Sequence, residues 1–396
     1  MKTSVTWRGQ VPAWQCDADG RWNPRFAAGA LDDANRVAAA IGGSPGSLDM
    51  HIDPAALPSA GELLRVESRL DGGMLVHELK NATGGATLAS ARTVCDGALD
   101  EAALAASPGT VAGPLGLVNA WECDVMRHMN VQFYTGRLTE SEAFFAASLG
   151  RERPLLRPVE HRFRYLGEMR AGDVAVAEAG KLAADADRMT LRVELRNGAG
   201  GGTASMESDL RFCSAKGEPM PIPAAMRAAL DRLQAVVPAR PVWSAGDWFP
   251  DPGTLARMTV LGRQEVLPWE VDHTGVMPPR FLFARMASSV PFLLAAMGLE
   301  RSYMTRNGFG RAAVGYRLRY LRWPREGDCL ELRSGVGEVT AKSWRFRHGF
   351  VDIADGALVC AVEAVIVLFS MTERRSVALP DDIRTRAENI SIQASC

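Results

Sequence analysis

The chain has no long apolar run, no excess of either charge and no patterned cysteines, and each absence removes a class of protein. Its longest apolar stretch, AVEAVIVLF at residues 361–369, falls well short of the roughly 20 residues that a membrane-spanning helix needs. It reads as a buried strand, and no membrane partner is expected. The opening residues MKTSVTWRGQ lack the apolar centre of a secretory signal, so a cytoplasmic protein is expected. A formal net charge of −1 argues against a polyanion-binding surface, and no nucleic-acid partner is expected. The seven cysteines include no CxxC pair and no Cys/His ligand spacing. An odd, scattered set suits a reducing compartment better than a disulfide framework, and no metal site is expected. No nucleotide-type Gly-rich loop occurs either. What is present is a globular composition, 47% hydrophobic and 23% charged over 396 residues, long enough for two or three domains.

The chain also repeats itself. VPAWQCDADGRWNPRFAAGAL (residues 11–31) lies over VNAWECDVMRHMNVQFYTGRL (residues 118–138) without a gap. Nine of the 21 positions are identical, namely Val, Ala, Trp, Cys, Asp, Asn, Phe, Gly and Leu, where average usage would give about one or two by chance. A fainter third copy, LPWEVDHTGVMPPRFLFARM (residues 267–286), keeps Trp269, Asp272 and Phe281. The segment after each Asp motif is apolar at helical spacing and ends in glycine, as helices do. Alternating stretches follow, such as MLVHELKN, MTLRVELRN and KSWRFRHG. Period-two alternation between Gly-rich turns is the mark of antiparallel sheet.

One unit therefore reads as a strand, an Asp-containing turn, an apolar helix and about four antiparallel strands. A helix apolar nearly all round must be wrapped, here most simply by its own curved sheet. The expected class is α+β in three repeats: residues 1–100, 108–235 with a C-terminal helix, and 257–396 with a C-terminal tail. Pro223 and Pro380 open the short helices of the last two. The Pro- and Trp-rich residues 236–256 read as a linker.

This unit resembles the hotdog fold, a long central helix wrapped by a curved antiparallel sheet. Its Asp motif resembles that of the 4-hydroxybenzoyl-CoA thioesterase group, Asp-x-x-Gly-His-[Val/Met]-Asn-Asn-x-x-Tyr. Asp124, Arg127, His128, Met129, Asn130, Val131 and Tyr134 stand in that order and spacing. The second copy departs from the motif at Arg127 and Val131. The third copy keeps Asp272 and Gly275 but not His or Asn, and the first keeps Asp17, Gly20 and Asn23 but not His. The resemblance implies tandem hotdog units and an acyl-CoA thioesterase that hydrolyses a coenzyme A thioester with no other cofactor.

That chemistry needs an activated water or a nucleophile, and a place for charge on the carbonyl oxygen. Asp124 and Asp272 are the leading carboxylates, as base or nucleophile. Arg127, His128, Asn130, Tyr134 and Gly275 are the expected oxyanion or substrate-binding set, with the first turn of the helix supplying N–H groups and its positive dipole end. Asp17, Gly20 and Asn23 make a third candidate site. Glycine after the Asp would let the thioester carbonyl approach the backbone. Each Asp also reads as a plain helix N-cap. Trp14, Trp121 and Trp269 read as core, Tyr134 as a half-buried core residue with its hydroxyl satisfied, and Cys16 and Cys123 as small core residues.

The competing readings are an acyl-ACP thioesterase, a hotdog hydratase suggested by DADGRWNPRF but lacking the histidine after Asn-Pro, and a non-catalytic acyl-CoA or small-ligand binder. Hotdog units normally pair. Two units are expected to pair within the chain and the third with its counterpart in another chain, giving a homodimer. Arg162, Arg164 and Arg170, or Arg317, Arg319, Arg322 and Arg325, are candidates for the CoA phosphates.

Overall fold

The structure, a computed structural model, describes residues 3–150, 154–214, 216–233 and 250–392. Three successive segments run in one element order. The first has β1 (Thr3–Gln10), α1 (Pro24–Ala40), β2 (Gly43–Pro45), β3 (Asp49–Ile52), β4 (Leu63–Asp71), β5 (Met74–Asn81) and β6 (Thr87–Gly97). The second has β7 (Val111–Leu117), α2 (Val131–Ser148), β8 (Leu155–Tyr165), β9 (Val174–Ala184), β10 (Arg188–Asn197), β11 (Gly202–Cys213) and α3 (Ala224–Leu230). The third has α4 (Pro252–Arg257), β12 (Thr259–Glu265), α5 (Pro279–Ala296), α6 (Arg301–Arg306) and β13 (Phe309–Tyr320). It continues through β14 (Cys329–Val339), β15 (Ser343–Asp352), β16 (Leu358–Ser370), β17 (Arg375–Ser376) and α7 (Asp381–Asn389).

All pairings between these strands are antiparallel. In the second segment the order is β8–β11–β10–β9–β7, and in the third it is β13–β16–β15–β14–β12. These two sheets join through β8 and β13, from Gly315 opposite Arg164 to Arg319 opposite Glu160. The first segment runs β3–β6–β5–β4–β1, and its ladder meets that of the second at a single residue pair, Arg8 opposite Leu115. Strand length decides which segments join. β8 has 11 residues and β13 has 12, whereas β3 has four and is followed by Pro54, which cannot donate to a ladder.

Each helix lies on the inner face of its sheet, where alternate residues such as Leu191, Val193 and Leu195 are fully buried. At the β8–β13 junction Phe163, Phe283, Tyr316, Tyr165 and Tyr134 form an edge-to-face chain with centroids 4.7–6.0 Å apart. Such pairs add roughly 0.5–1.5 kcal/mol each beyond area burial. α2 and α5 pack on each other here, so each helix is covered by its own sheet and by the other helix.

The outer face of the junction is charged, and this overturns part of the expected CoA contact set. Glu160 accepts from Arg162 (2.8 Å), Arg317 (2.8 Å) and Arg319 (3.0 Å), and Arg162 also pairs with Asp209 at 2.7 Å. Arg322 pairs with Asp352. Alternation along β8 and β13 puts Arg162, Arg317 and Arg319 opposite carboxylates of neighbouring strands, so they hold strands rather than phosphates. The expected linker also ends early. Pro252 opens α4, and Asp251 accepts from the Thr254 N–H (2.9 Å) and hydroxyl (2.7 Å) as its cap; residues 236–249 lie outside the described residues.

Two buried histidines stiffen the sheets of the first and third segments. His77 Nδ1 meets the Ser68 hydroxyl at 2.6 Å and Nε2 meets Asn35 at 3.2 Å. His348 Nδ1 meets Ser334 at 2.7 Å. The corresponding cross-strand pair in the second segment is Ala179 and Val193. Burial pushes His77 down to about 4 and His348 down to about 3. In this direction the unfolded chain takes up protons below about pH 6.5 while the folded chain does not. The stability is therefore complete above that pH and is lost as pH falls toward 3. Urea unfolding should show a loss of roughly 2 kcal/mol per histidine between pH 7 and 4.5. A His77→Gln/His348→Gln double variant that keeps the full acid loss would refute this assignment.

Candidate active site

The three Asp motifs fold into the same turn. The Asp N–H binds the carbonyl four residues on, from Asp17 to Arg21 (2.8 Å), Asp124 to His128 (2.9 Å) and Asp272 to Val276 (2.8 Å). The Asp carbonyl accepts from the N–H three residues on, at Gly20 (3.0 Å), Arg127 (2.9 Å) and Gly275 (3.0 Å). These three residues have φ of 74°, 64° and 73°. Only glycine takes this left-handed geometry without steric cost. Arg127 therefore adopts the turn in spite of its side chain, and a Cβ at Gly20 or Gly275 would meet nothing within 4 Å. Arg127→Gly is expected to raise stability by about 0.5–1 kcal/mol in urea unfolding, the relief of strain being partly offset by unfolded-chain entropy. A lower midpoint in the variant would count against it.

The aspartates are not caps of the central helices. Oδ1 of each one accepts N–H groups inside its own turn, from Asp19 and Arg21, from Met126, and from Thr274 and Val276. Asn23 and Asn130 are the N-caps, accepting from Arg25 and Gln132 at 3.1 Å each, and Pro278 takes that place before α5. The turn sits several residues ahead of the helix, too far to reach its first N–H groups. Oδ2 of each aspartate has no protein hydrogen bond among the described residues and is left for solvent or a ligand.

The expected oxyanion donors are mostly occupied. The Arg127 and Gly275 N–H groups bind within the turn. Pro278 and Pro279 have no N–H, so the start of α5 lacks two of its donors. Tyr134 is buried, its hydroxyl donating to the Gly167 carbonyl (3.2 Å) and accepting from the Met169 N–H (2.7 Å). His128 Nε2 pairs with Glu168 at 3.2 Å, and Glu168 also holds Arg374 at 2.6 Å. The cation that interacts with Asp124 is Arg311, an exposed residue whose pKa partial desolvation lowers. The three tryptophans are exposed, Trp121 at 69%. Trp14 and Trp121 sit in one-turn 3-10 helices and lie edge-on against Phe26 and Phe133, at 5.2 and 5.5 Å, outside the sheet rather than beneath it.

A cavity of about 260 Å³ lies at the third Asp turn. All three segments wall it: Gln10–Trp14 from the first, α2 and the start of β8 from the second, and Asp272 through Phe281 from the third. The first segment also buttresses the turn, since a Cβ at Gly61 (φ 85°) would fall 2.4 Å from the His273 ring. Several charged or titratable residues in the wall were not singled out as site residues from the sequence, Arg157, Glu140, Glu142 and His161 among them. Arg157 donates from Nη1 to Thr274 Oγ1 at 3.0 Å, and Thr274 Oγ1 donates to Asp272 Oδ1 at 2.6 Å. Glu140 accepts the Gln10 backbone N–H. Burial pushes its carboxyl up to about 7, against that hydrogen bond and the charges of Arg137 and Arg280. Glu142 Oε1 holds His161 Nε2 (2.8 Å) and the Ser208 hydroxyl (2.6 Å), and His161 Nδ1 meets the Tyr320 hydroxyl at 3.1 Å. The sequence signal was there, in two carboxylates inside an apolar helix at TESEAFF. Which neighbour satisfies them is set by packing, Glu140 meeting the end of β1 and Glu142 meeting β8 and β11.

No cluster of metal-ligating side chains occurs among the described residues, none of their helices is long and apolar enough to cross a membrane, and their six cysteines are free.

A central helix packed on a curved antiparallel sheet, repeated and joined edge to edge, defines the chain as a tandem hotdog fold. The model of the thioesterase-like superfamily matches residues 118–230 and 266–386, more than half of the chain, and the chain belongs to that superfamily. Both matches fall on the joined second and third segments. Among solved structures the chain is similar to a Lactobacillus plantarum protein described as an oleoyl thioesterase. The two share 13% identity with a TM-score of 0.53, over 67% of this chain and 98% of that one. It is also similar to the 12:0-ACP thioesterase of Umbellularia californica, at 12% identity and TM-score 0.52, over 65% and 94%. At these identities the likeness is one of fold. No curated protein matches the sequence.

Proposed function

We propose that the chain is an acyl-CoA thioesterase working at the cavity beside Asp272. Water adds to the thioester carbonyl, the new C–O bond forms as the C–S bond breaks, and the proton taken from water returns to the sulfur. One observation carries the reading: a carboxylate with one oxygen fixed by its turn and the other free lines a cavity with apolar walls, Leu155, Leu156, Met277 and Phe281 among them. Fixing Oδ1 orients Oδ2 for use as base or nucleophile. In this reading Asp124 and Asp17 are copies of the turn without that cavity, and Arg127, His128, Asn130 and Tyr134 hold the second copy together.

The acyl carrier is tested by presenting the same acyl groups on coenzyme A and on acyl carrier protein and measuring thiol release. Release from acyl-CoA across some chain length supports the proposal, and release from the carrier protein alone replaces it with an acyl-ACP thioesterase. No release from either would leave a ligand-binding protein.

We further propose three hotdog units, with residues 1–100 as the first and β3 as its unpaired edge. In the other two units the corresponding strands, β8 and β13, pair with each other, and pairing of β3 with a second copy would give a homodimer. Sedimentation at micromolar concentration tests this, a monomer mass being the contrary result. Free cysteines among the described residues support a cytoplasmic location.

A further inference from the structure

We infer that Arg157 is the anion-binding residue of the cavity, donating to the thioester oxygen as it becomes negative and to the carboxylate of a bound carboxylic acid. The inference rests on the thioesterase reading for the first role but not for the second.

Three arginines are almost wholly buried, Arg157, Arg192 and Arg285, with 6–8% exposure. Arg192 has Glu194 and Glu207 at 2.6 and 3.1 Å, and Arg285 has Glu270 at 2.6 Å. Arg157 has no carboxylate within ion-pair distance among the described residues. Its hydrogen bond goes to the neutral Thr274 hydroxyl, and its guanidinium lies 5.6 Å from the Trp323 ring centre. A buried cation without a direct counter-charge is costly unless an anion completes it. Arg157 lines the cavity, and a planar fork suits carboxylate-like oxygens.

The surroundings give the same answer. The chain Arg157–Thr274–Asp272, at 3.0 and 2.6 Å, puts the guanidinium and the aspartate on two sides of one hydroxyl. A carbonyl carbon near Asp272 Oδ2 would have its oxygen on the Arg157 side. Pro278 and Pro279 deprive α5 of backbone donors in this copy, so a developing oxyanion needs a side-chain donor. In the second copy Asn130 and Val131 occupy these positions and both carry an N–H, that of Asn130 binding the Glu122 carbonyl at 2.9 Å.

The test uses the full chain with Arg157→Met and Arg157→Lys. The first removes the charge and the second keeps a charge without the fork. Decanoate binding by calorimetry is expected to weaken about tenfold or more in Arg157→Met. Hydrolysis of the best acyl-CoA should lose about 10²–10³-fold in kcat with KM little changed. Lysine should restore part of both, which also covers a methionine variant that folds poorly. Wild-type hydrolysis left undiminished in both variants would overturn the inference while the thioesterase reading stood. Arg157-dependent decanoate binding by a chain that hydrolyses no thioester would sustain the anion site and sink the thioesterase. Absence of decanoate binding by the wild-type chain, or equal binding by all three proteins, would overturn the anion site outright.

Discussion

Asp272→Asn is expected to lower kcat for thiol release by about 10²–10⁴-fold, the usual contribution of a positioned base, and to leave the thermal midpoint within a degree or two. The amide oxygen can still accept the Thr274 and Val276 N–H groups that now bind Oδ1, so the turn keeps its shape and only the charge on the free oxygen is lost. Asp124→Asn should change kcat by less than about threefold, because its turn faces Arg311 and the His128–Glu168–Arg374 ion pairs rather than the cavity. The comparison is sharp because the two turns are otherwise alike in hydrogen bonding. If the loss appears in Asp124→Asn instead, the active turn is the second one and the cavity assignment falls.

The largest effect on stability is expected at Glu270→Ala. Arg285 reaches out of α5 to the Glu265 carbonyl (2.8 Å) and to Glu270 (2.6 Å), and Glu270 also accepts the Leu267 N–H at 3.0 Å. One ion pair thus ties the last residue of β12, a 3-10 turn and the central helix. Removing the carboxylate leaves a buried guanidinium with a single carbonyl partner, which costs about 3–5 kcal/mol. Arg137 and Glu122 repeat the arrangement in the second segment, with the Leu117 carbonyl at 2.6 Å. The first segment has Ala30 and Gln15 at those positions, so the tie is dispensable where the charge was never buried. A Glu270→Leu/Arg285→Leu double variant should therefore recover much of the loss in urea unfolding. A double variant as unstable as Glu270→Ala would mean that packing, not the stranded charge, sets the cost.

Much of this was legible in the linear sequence because repetition and period are local. Three Asp turns, three helices ended by glycine and the alternating strands after each follow from residue spacing alone, and the hotdog resemblance rested on them. Arg127 in a glycine position was visible as a conflict, and the φ of 64° shows that the turn wins over the side chain. The tryptophans went the other way. Their repeat looked like a core signature, yet they stand in exposed 3-10 turns, since identity at a position does not say which side of the chain it faces.

What the sequence determined by itself was the unit: its order of elements, its turn and the carboxylate in it. The tertiary structure alone decided which units meet and therefore where a substrate could go. β8 and β13 are long enough to join two sheets and β3 is not. Their pairing brings Arg157, His161 and α2 of one unit against the Asp272 turn of another. These groups are more than a hundred residues apart, and no spacing rule reaches that far. Coulomb and hydrogen-bond energies act through space, and only the packed sheets fix those distances.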